Sequence, residues 1–169
     1  MQFFRKYFVV LALVLVGIAA VAYIAPMLMG KEETLTSNQI KTAEIDFTHE
    51  GDLSIFKGDK LLKKIAIEFA NSPSERELGL MYRQTMQQNQ GMLFVFPDEQ
   101  IRTFYMKNTF LPLDIIYINA NKEIISIVKN ARPMDETSLP SEKPAKYVLE
   151  INAGLTDAWG IEIGDHILY

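Results

Sequence analysis

The 169-residue chain contains no cysteine. That excludes disulfides, thiolate zinc sites, a cysteine nucleophile and a lipid-modified cysteine anchor. Histidine occurs twice, as His49 and His166, too far apart in sequence for metal-ligand spacing. No G-x-S-x-G sequence is present, so nothing marks a nucleophile elbow. There is no internal repeat and no basic stripe. Seventeen Lys and Arg, less Arg5 and Lys6, leave 15 against 21 Asp and Glu beyond residue 30, a net charge of −6. Nucleic acid is therefore not an expected partner, and no cofactor or metal is expected.

What is present begins with one long apolar run. Residues 7–25, YFVVLALVLVGIAAVAYIA, hold no charge, and the apolar character continues through PMLM to residue 29. About 20 such residues span a bilayer as a helix. Arg5 and Lys6 precede the run and KEE follows it, which puts the N-terminus in the cytoplasm and the remainder outside. The length favours an uncleaved anchor over residues 1–30. The alternative is a cleaved signal peptide using the A-x-A-like Ala20-Val21-Ala22. Either way the expected location is extracytoplasmic, in the periplasm or at the cell exterior, with the membrane as partner through residues 7–29 unless the segment is removed. Residues 31–44, KEETLTSNQIKTAE, are polar and aperiodic and read as a linker. A single β-rich domain is expected over 45–169.

That domain opens with DLSIF (52–56) and LLKKIAIEFA (61–70), a hairpin around Gly58. NSPSERELGLMYRQTM then carries a helix start: Ser72 as N-cap, Pro73 at the first position and Glu75 completing a capping box. Leu78, Met81, Tyr82 and Thr85 keep helical spacing, so one main helix is expected over about 73–86. Strand patterns follow at 91–97, 102–107, 113–119, 123–130 and 145–153, with a turn at 119–123 and a Pro-containing loop at 131–144. The tail reads as a short helical turn and a last strand. The expected fold is α+β but mostly β, a small antiparallel sheet curled into a barrel or sandwich.

Five ordered segments, GLMYR (79–83), GMLFVF (91–96), FYMKNTFLPLDIIYI (104–118), YVLEINAG (147–154) and GIEIGDHI (160–167), resemble the uncharacterised domain-of-unknown-function family 192. With FTHEGDLSIF and IEFANSPSERE the resemblance covers about 47–168. The family usually reads Trp where this chain has Tyr105. The resemblance implies a compact, mostly β domain, often secreted or membrane-anchored, and implies no activity.

Function therefore rests on polar residues intruding on apolar strands. Asn108, Thr109 and Pro112 are corner residues. Asp114 lies just beyond them, and a buried carboxylate must be paired or hydrogen-bonded. Asp114 either ties the corner down through backbone N–H groups or, with Lys107 and Asn108, grips a polar ligand. Glu150 intrudes on YVLEINAG, where Val148, Glu150 and Asn152 share one strand face. It is either a solvated or edge-facing Glu or a partner of Lys107 or Arg83 in the same pocket. The preferred reading is a binding or accessory module whose site draws on Arg83, Lys107, Asn108, Thr109, Asp114 and Glu150, taking a small polar ligand or an envelope protein. An envelope hydrolase or lyase using Asp114 or Glu150 with Lys107 is the alternative. Cu(I) binding through Met81, Met92 and Met106 is a third, since thioethers are soft ligands, though no M-x-x-M sequence is present.

Overall fold

The computed structural model describes residues 45–169. The anchor or signal segment and the linker expected from sequence lie outside the described residues. Among the described residues no helix is long and apolar enough to cross a membrane.

The first two strands, β1 (Gly51–Lys57) and β2 (Lys60–Ala70), form the expected hairpin, with Gly58 left-handed at the turn (φ 55°). A helix, α1 (Pro73–Leu78), leads to β3 (Gln90–Gln100). Then come β4 (Thr103–Phe104), β5 (Leu113–Ile118), β6 (Ile124–Ala131), β7 (Leu139–Pro140) and β8 (Ala145–Asn152). A second short helix, α2 (Leu155–Trp159), and β9 (His166–Leu168) end the chain. Seven strands make one sheet in the order β6-β5-β8-β3-β2-β1-β9, and β4 pairs only with β7.

Three expectations are corrected. The sheet is mixed, because β2 and β3 run parallel. Parallel neighbours need a crossover of a dozen or more residues, and residues 71–89, containing α1, supply it. The sheet curls but is not closed into a barrel: no ladder joins its outer strands β6 and β9, whose ends meet at the isolated bridge of Glu123 with His166 and the backbone hydrogen bonds beside it. Finally, α1 ends at Leu78 rather than near residue 86.

The start of α1 follows its sequence closely. Ser72 Oγ accepts from Glu75 N at 3.2 Å, and Glu75 Oε2 accepts from the Ser72 and Asn71 amides at 2.8 and 2.9 Å. Its end is set by Gly79, at φ 49° and ψ −133°, a conformation no helix continues through. Leu80 then turns into the core, and Tyr82 is left-handed (φ 64°). The apolar spacing that suggests a longer helix serves a loop that packs onto the sheet instead.

The two sheet faces bury separate cores. On the inner face Leu53, Ile55, Ile65, Ile67, Leu93, Ile116, Leu149 and Ile151 pack with Leu155 of α2 and Ile167 of β9. On the outer face Met92, Phe94, Leu113, Ile115, Tyr117 and Val148 pack under Leu80, Met106 and Leu111, which come from loops. This explains why β5 is buried at every position.

A Cβ placed on Gly79 would lie 3.0 Å from the Phe94 ring, in a backbone conformation that side chains rarely adopt. Gly79→Ala should therefore destabilise the domain by roughly 2 kcal/mol, read from urea unfolding. A loss under about 0.5 kcal/mol would mean that the loop re-forms freely around the new methyl group.

Candidate functional site

Strand pairing decides which polar residues meet. Asp114 lies opposite Ile151, and Ile115 lies opposite Glu150. Because strand side chains alternate between faces, Asp114 belongs to the inner face and Glu150 to the outer one. The two carboxylates share no pocket.

Asp114 is fully buried. Its Oδ1 accepts from the Asn130 amide at 2.8 Å. Its Oδ2 accepts from the Thr156 amide at 3.0 Å and the Thr156 hydroxyl at 2.7 Å. Three donors from the end of β6 and the first turn of α2 thus converge on one side chain. Of the two readings open for Asp114, the geometry fits the tie between backbone segments.

The outer face carries a different row. Glu68 of β2 pairs in register with Met92 of β3, and Met92 with Glu150 of β8. Glu68 is neutralised by Arg83 at 2.6 Å, both side chains about 7% exposed, and its Oε1 also accepts from the Thr48 amide at 2.8 Å. Arg83 is thus committed to Glu68 rather than to Glu150, with its Nε left buried and unpaired. Glu68 escapes the strand pattern because IAIEFA reads as alternation with a polar solvent face, whereas loop 79–89 covers that face.

Glu150 has no such partner. It is 5% exposed, and among the described residues no group donates a hydrogen bond to its carboxyl. Burial alone pushes its pKa up to about 8. The Tyr117 phenol is pushed up too, first by burial and then by the nearby Glu150 charge, and it donates to the Leu139 carbonyl.

Glu150 lines a cavity of about 240 Å³. The walls are mostly apolar: Leu78, Leu80 and Met81 from the α1 end, Phe94 and Phe96 from β3, and Phe104 and Tyr105. Phe104 packs edge-on against Phe94, Phe96 and Tyr117, at ring-centroid distances of 5.0, 6.5 and 6.0 Å. Arg76, Glu77, Thr103 and Thr109 complete the lining. The Arg76 guanidinium is bound to the Val95 carbonyl at 3.0 Å and to the Asn71 carbonyl, and lies 5.2 Å from the Phe96 ring.

Of the residues singled out from sequence, Thr109 and Glu150 reach this cavity. Lys107 and Asn108 line an adjoining groove that shares Glu77, Leu78, Met81 and Tyr105 with it. Thr109 donates its hydroxyl to the Lys107 carbonyl at 3.1 Å, holding the corner. Asn108 (φ 53°) is left-handed like Tyr82, and the two residues clasp each other. The Tyr82 amide donates to the Asn108 carbonyl, and Asn108 Nδ2 to the Tyr82 hydroxyl, each at 2.8 Å. Met92 and Met106 are buried in the outer core, whereas Met81 lines both the cavity and the groove. The phenylalanines did not stand out in sequence, because an apolar strand looks the same whether or not it encloses space.

Residues 54–169 match the family called Uncharacterized ACR, COG1430, that is, domain-of-unknown-function family 192. A UPF0127 protein of Pyrococcus furiosus is 30% identical over 117 residues, which cover 68% of this chain and 94% of that protein. A protein of unknown function from Novosphingobium aromaticivorans has a solved structure 35% identical in sequence, with a TM-score of 0.67, over 70% of this chain and 84% of its own. A Sinorhizobium meliloti structure, named as a candidate transcription regulator, is 37% identical with the same TM-score over 69% and 91%.

Two outcomes follow from the carboxylates. Asp114→Ala strands three donors, two of them buried, and should cost roughly 3 kcal/mol, seen as a lower urea midpoint; an unchanged midpoint would remove Asp114 from the tie. Glu150 holds its proton in the folded state up to about pH 8, while the unfolded residue releases it near 4.5. The folded state then binds more protons, so stability falls as pH rises from about 4.5 to about 8, by on the order of 5 kcal/mol. Glu150→Gln should remove that component. The variant should match wild type near pH 4 and exceed it above pH 8, and parallel stability curves would rule out the buried titration.

Proposed function

The chain belongs to the uncharacterised family COG1430, and within that frame we propose that its domain is an accessory binding module that takes a small ligand into the cavity above Glu150. The observation that carries this is the Glu150 carboxyl itself, on a residue 5% exposed that lines the cavity and takes no hydrogen bond from any donor among the described residues. A buried polar group without a partner costs stability. The neighbouring Glu68 shows how the same face neutralises a carboxylate when the partner is internal. At Glu150 the missing partner is supplied by what occupies the cavity. Apolar walls with a few convergent polar groups are the usual make-up of a small-molecule site. The polar end of the site thus centres on Glu150 and Thr109, with Lys107 and Asn108 at the adjoining groove, rather than on Asp114.

We place this module outside the cytoplasm, tethered by residues 7–29. Arg5 and Lys6 before an uncharged run and acidic residues after it support that orientation. A nucleic-acid role is not carried over from the Sinorhizobium protein, since the chain beyond residue 30 is acidic and lacks a basic stripe.

One observation favours a second reading. A carboxyl that holds its proton near neutral pH is suited to act as a general acid. An envelope hydrolase or lyase would then depend on Glu150 without Asp114, which is bonded on the opposite face.

Ligand-observed NMR with a fragment library on the full-length chain in detergent micelles tests the binding site. Thr103→Trp places a large side chain at the cavity wall from an exposed position. Binders should lose their signal with this variant while its unfolding midpoint stays near that of wild type. If every binder is retained, the cavity is not the site.

A further inference from the structure

The cavity's lining specifies a charge for its occupant. We propose that the occupant is an organic cation, a protonated amine on a short apolar or aromatic stem, seated with its nitrogen against Glu150. This rests on the binding reading above and deepens it.

Three observations lead there. Among the described residues, the single buried ionisable group that faces the space without a partner is an acid. An anion would gain one hydrogen bond from the protonated Glu150 but would face Glu77, a second carboxyl in the lining. A neutral acceptor would gain one hydrogen bond from the protonated form, whereas a cation gains a charge-assisted pair, about twice as strong. Next, four aromatic residues, Phe94, Phe96, Phe104 and Tyr105, line the space. Aromatic faces attract cations, and Phe96 already lies 5.2 Å from the Arg76 guanidinium and 4.0 Å from that of Arg102. Third, the lining's one cation is spent. Arg76 is held by the Val95 and Asn71 carbonyls and by Phe96, so it offers little to an anionic ligand.

Size narrows the class further. A cavity of about 240 Å³ has room for one ring and its headgroup. As the cation enters, the Glu150 proton leaves to bulk water. The carboxylate and the ammonium then neutralise each other as an ion pair at the cavity wall, and no other bond changes.

Three probes of one shape and three charges test this: benzylammonium, benzyl alcohol and benzoate. They are titrated into the full-length chain in detergent micelles, and binding is read from the amide shifts of Phe94, Thr109 and Glu150. Benzylammonium should bind about tenfold more tightly than benzyl alcohol, and benzoate most weakly. Glu150→Gln should erase the preference for the cation while leaving benzyl alcohol within about threefold. If that variant does not fold, Phe104→Leu should weaken benzylammonium more than benzyl alcohol. Equal binding of the three, tighter benzoate, or a cation preference that survives Glu150→Gln overturns the cation assignment and leaves the cavity as a binding site. No shift with any probe overturns both readings.

Discussion

Three donors meet at the fully buried Asp114 carboxylate: the Asn130 amide, the Thr156 amide and the Thr156 hydroxyl. That junction holds the end of β6 and the start of α2 against the centre of the sheet. Leu155 enters the inner core through the turn that Thr156 anchors. The same junction fixes which way β5 faces. With Asp114 turned inward, Leu113, Ile115 and Tyr117 must turn outward, and they become the ground on which the outer loops pack. A one-residue slip would reverse every side chain of the strand. It would also bury Asp114 beneath those loops, away from its donors.

The sheet buries two further carboxylates, and their environments show what the fold can and cannot do by itself. Glu68 is neutralised by a cation carried on the crossover loop and by one backbone amide. Glu150, separated from Glu68 on the same face by Met92, receives neither. Burial without a partner raises its pKa. A structural carboxylate draws its donors from the protein, as Asp114 does, because a buried ion without them is too costly to keep. An acid left without donors at the floor of an aromatic cavity is the arrangement expected where the partner comes from outside.

Much of the fold was legible in the sequence, because periodicity and turn chemistry act locally. The hairpin at Gly58, the capping box from Ser72 to Glu75 and the alternation in YVLEINAG all carry their structure within a few residues. The direction of β3 did not, since parallel pairing depends on where a strand returns and not on its composition. The helix was overextended for a related reason: Leu78, Met81 and Tyr82 keep a helical period, but Gly79 breaks the backbone where Phe94 approaches. The site was half visible. Glu150 stood out as a polar residue in an apolar strand, yet its separation from Asp114 is a matter of register between β5 and β8. The Glu68–Arg83 pair was hidden because a charge on one face of an alternating strand looks solvated until a loop covers it.

That loop cover connects the fold to its use. The inner face is sealed by α2 and by strands β1 and β9, the strands joined to each other by ladder hydrogen bonds. The outer face is sealed by segments 79–89 and 104–111, which have little ladder of their own and are held by individual contacts. Tyr82 and Asn108 show how that hold is made. Each sits in the left-handed region, at a cost near 1 kcal/mol for a residue such as Tyr, and each is kept there by the other's backbone or side chain. Segments fastened by point contacts leave space between them that ladders would close, and the cavity over Glu150 occupies that space.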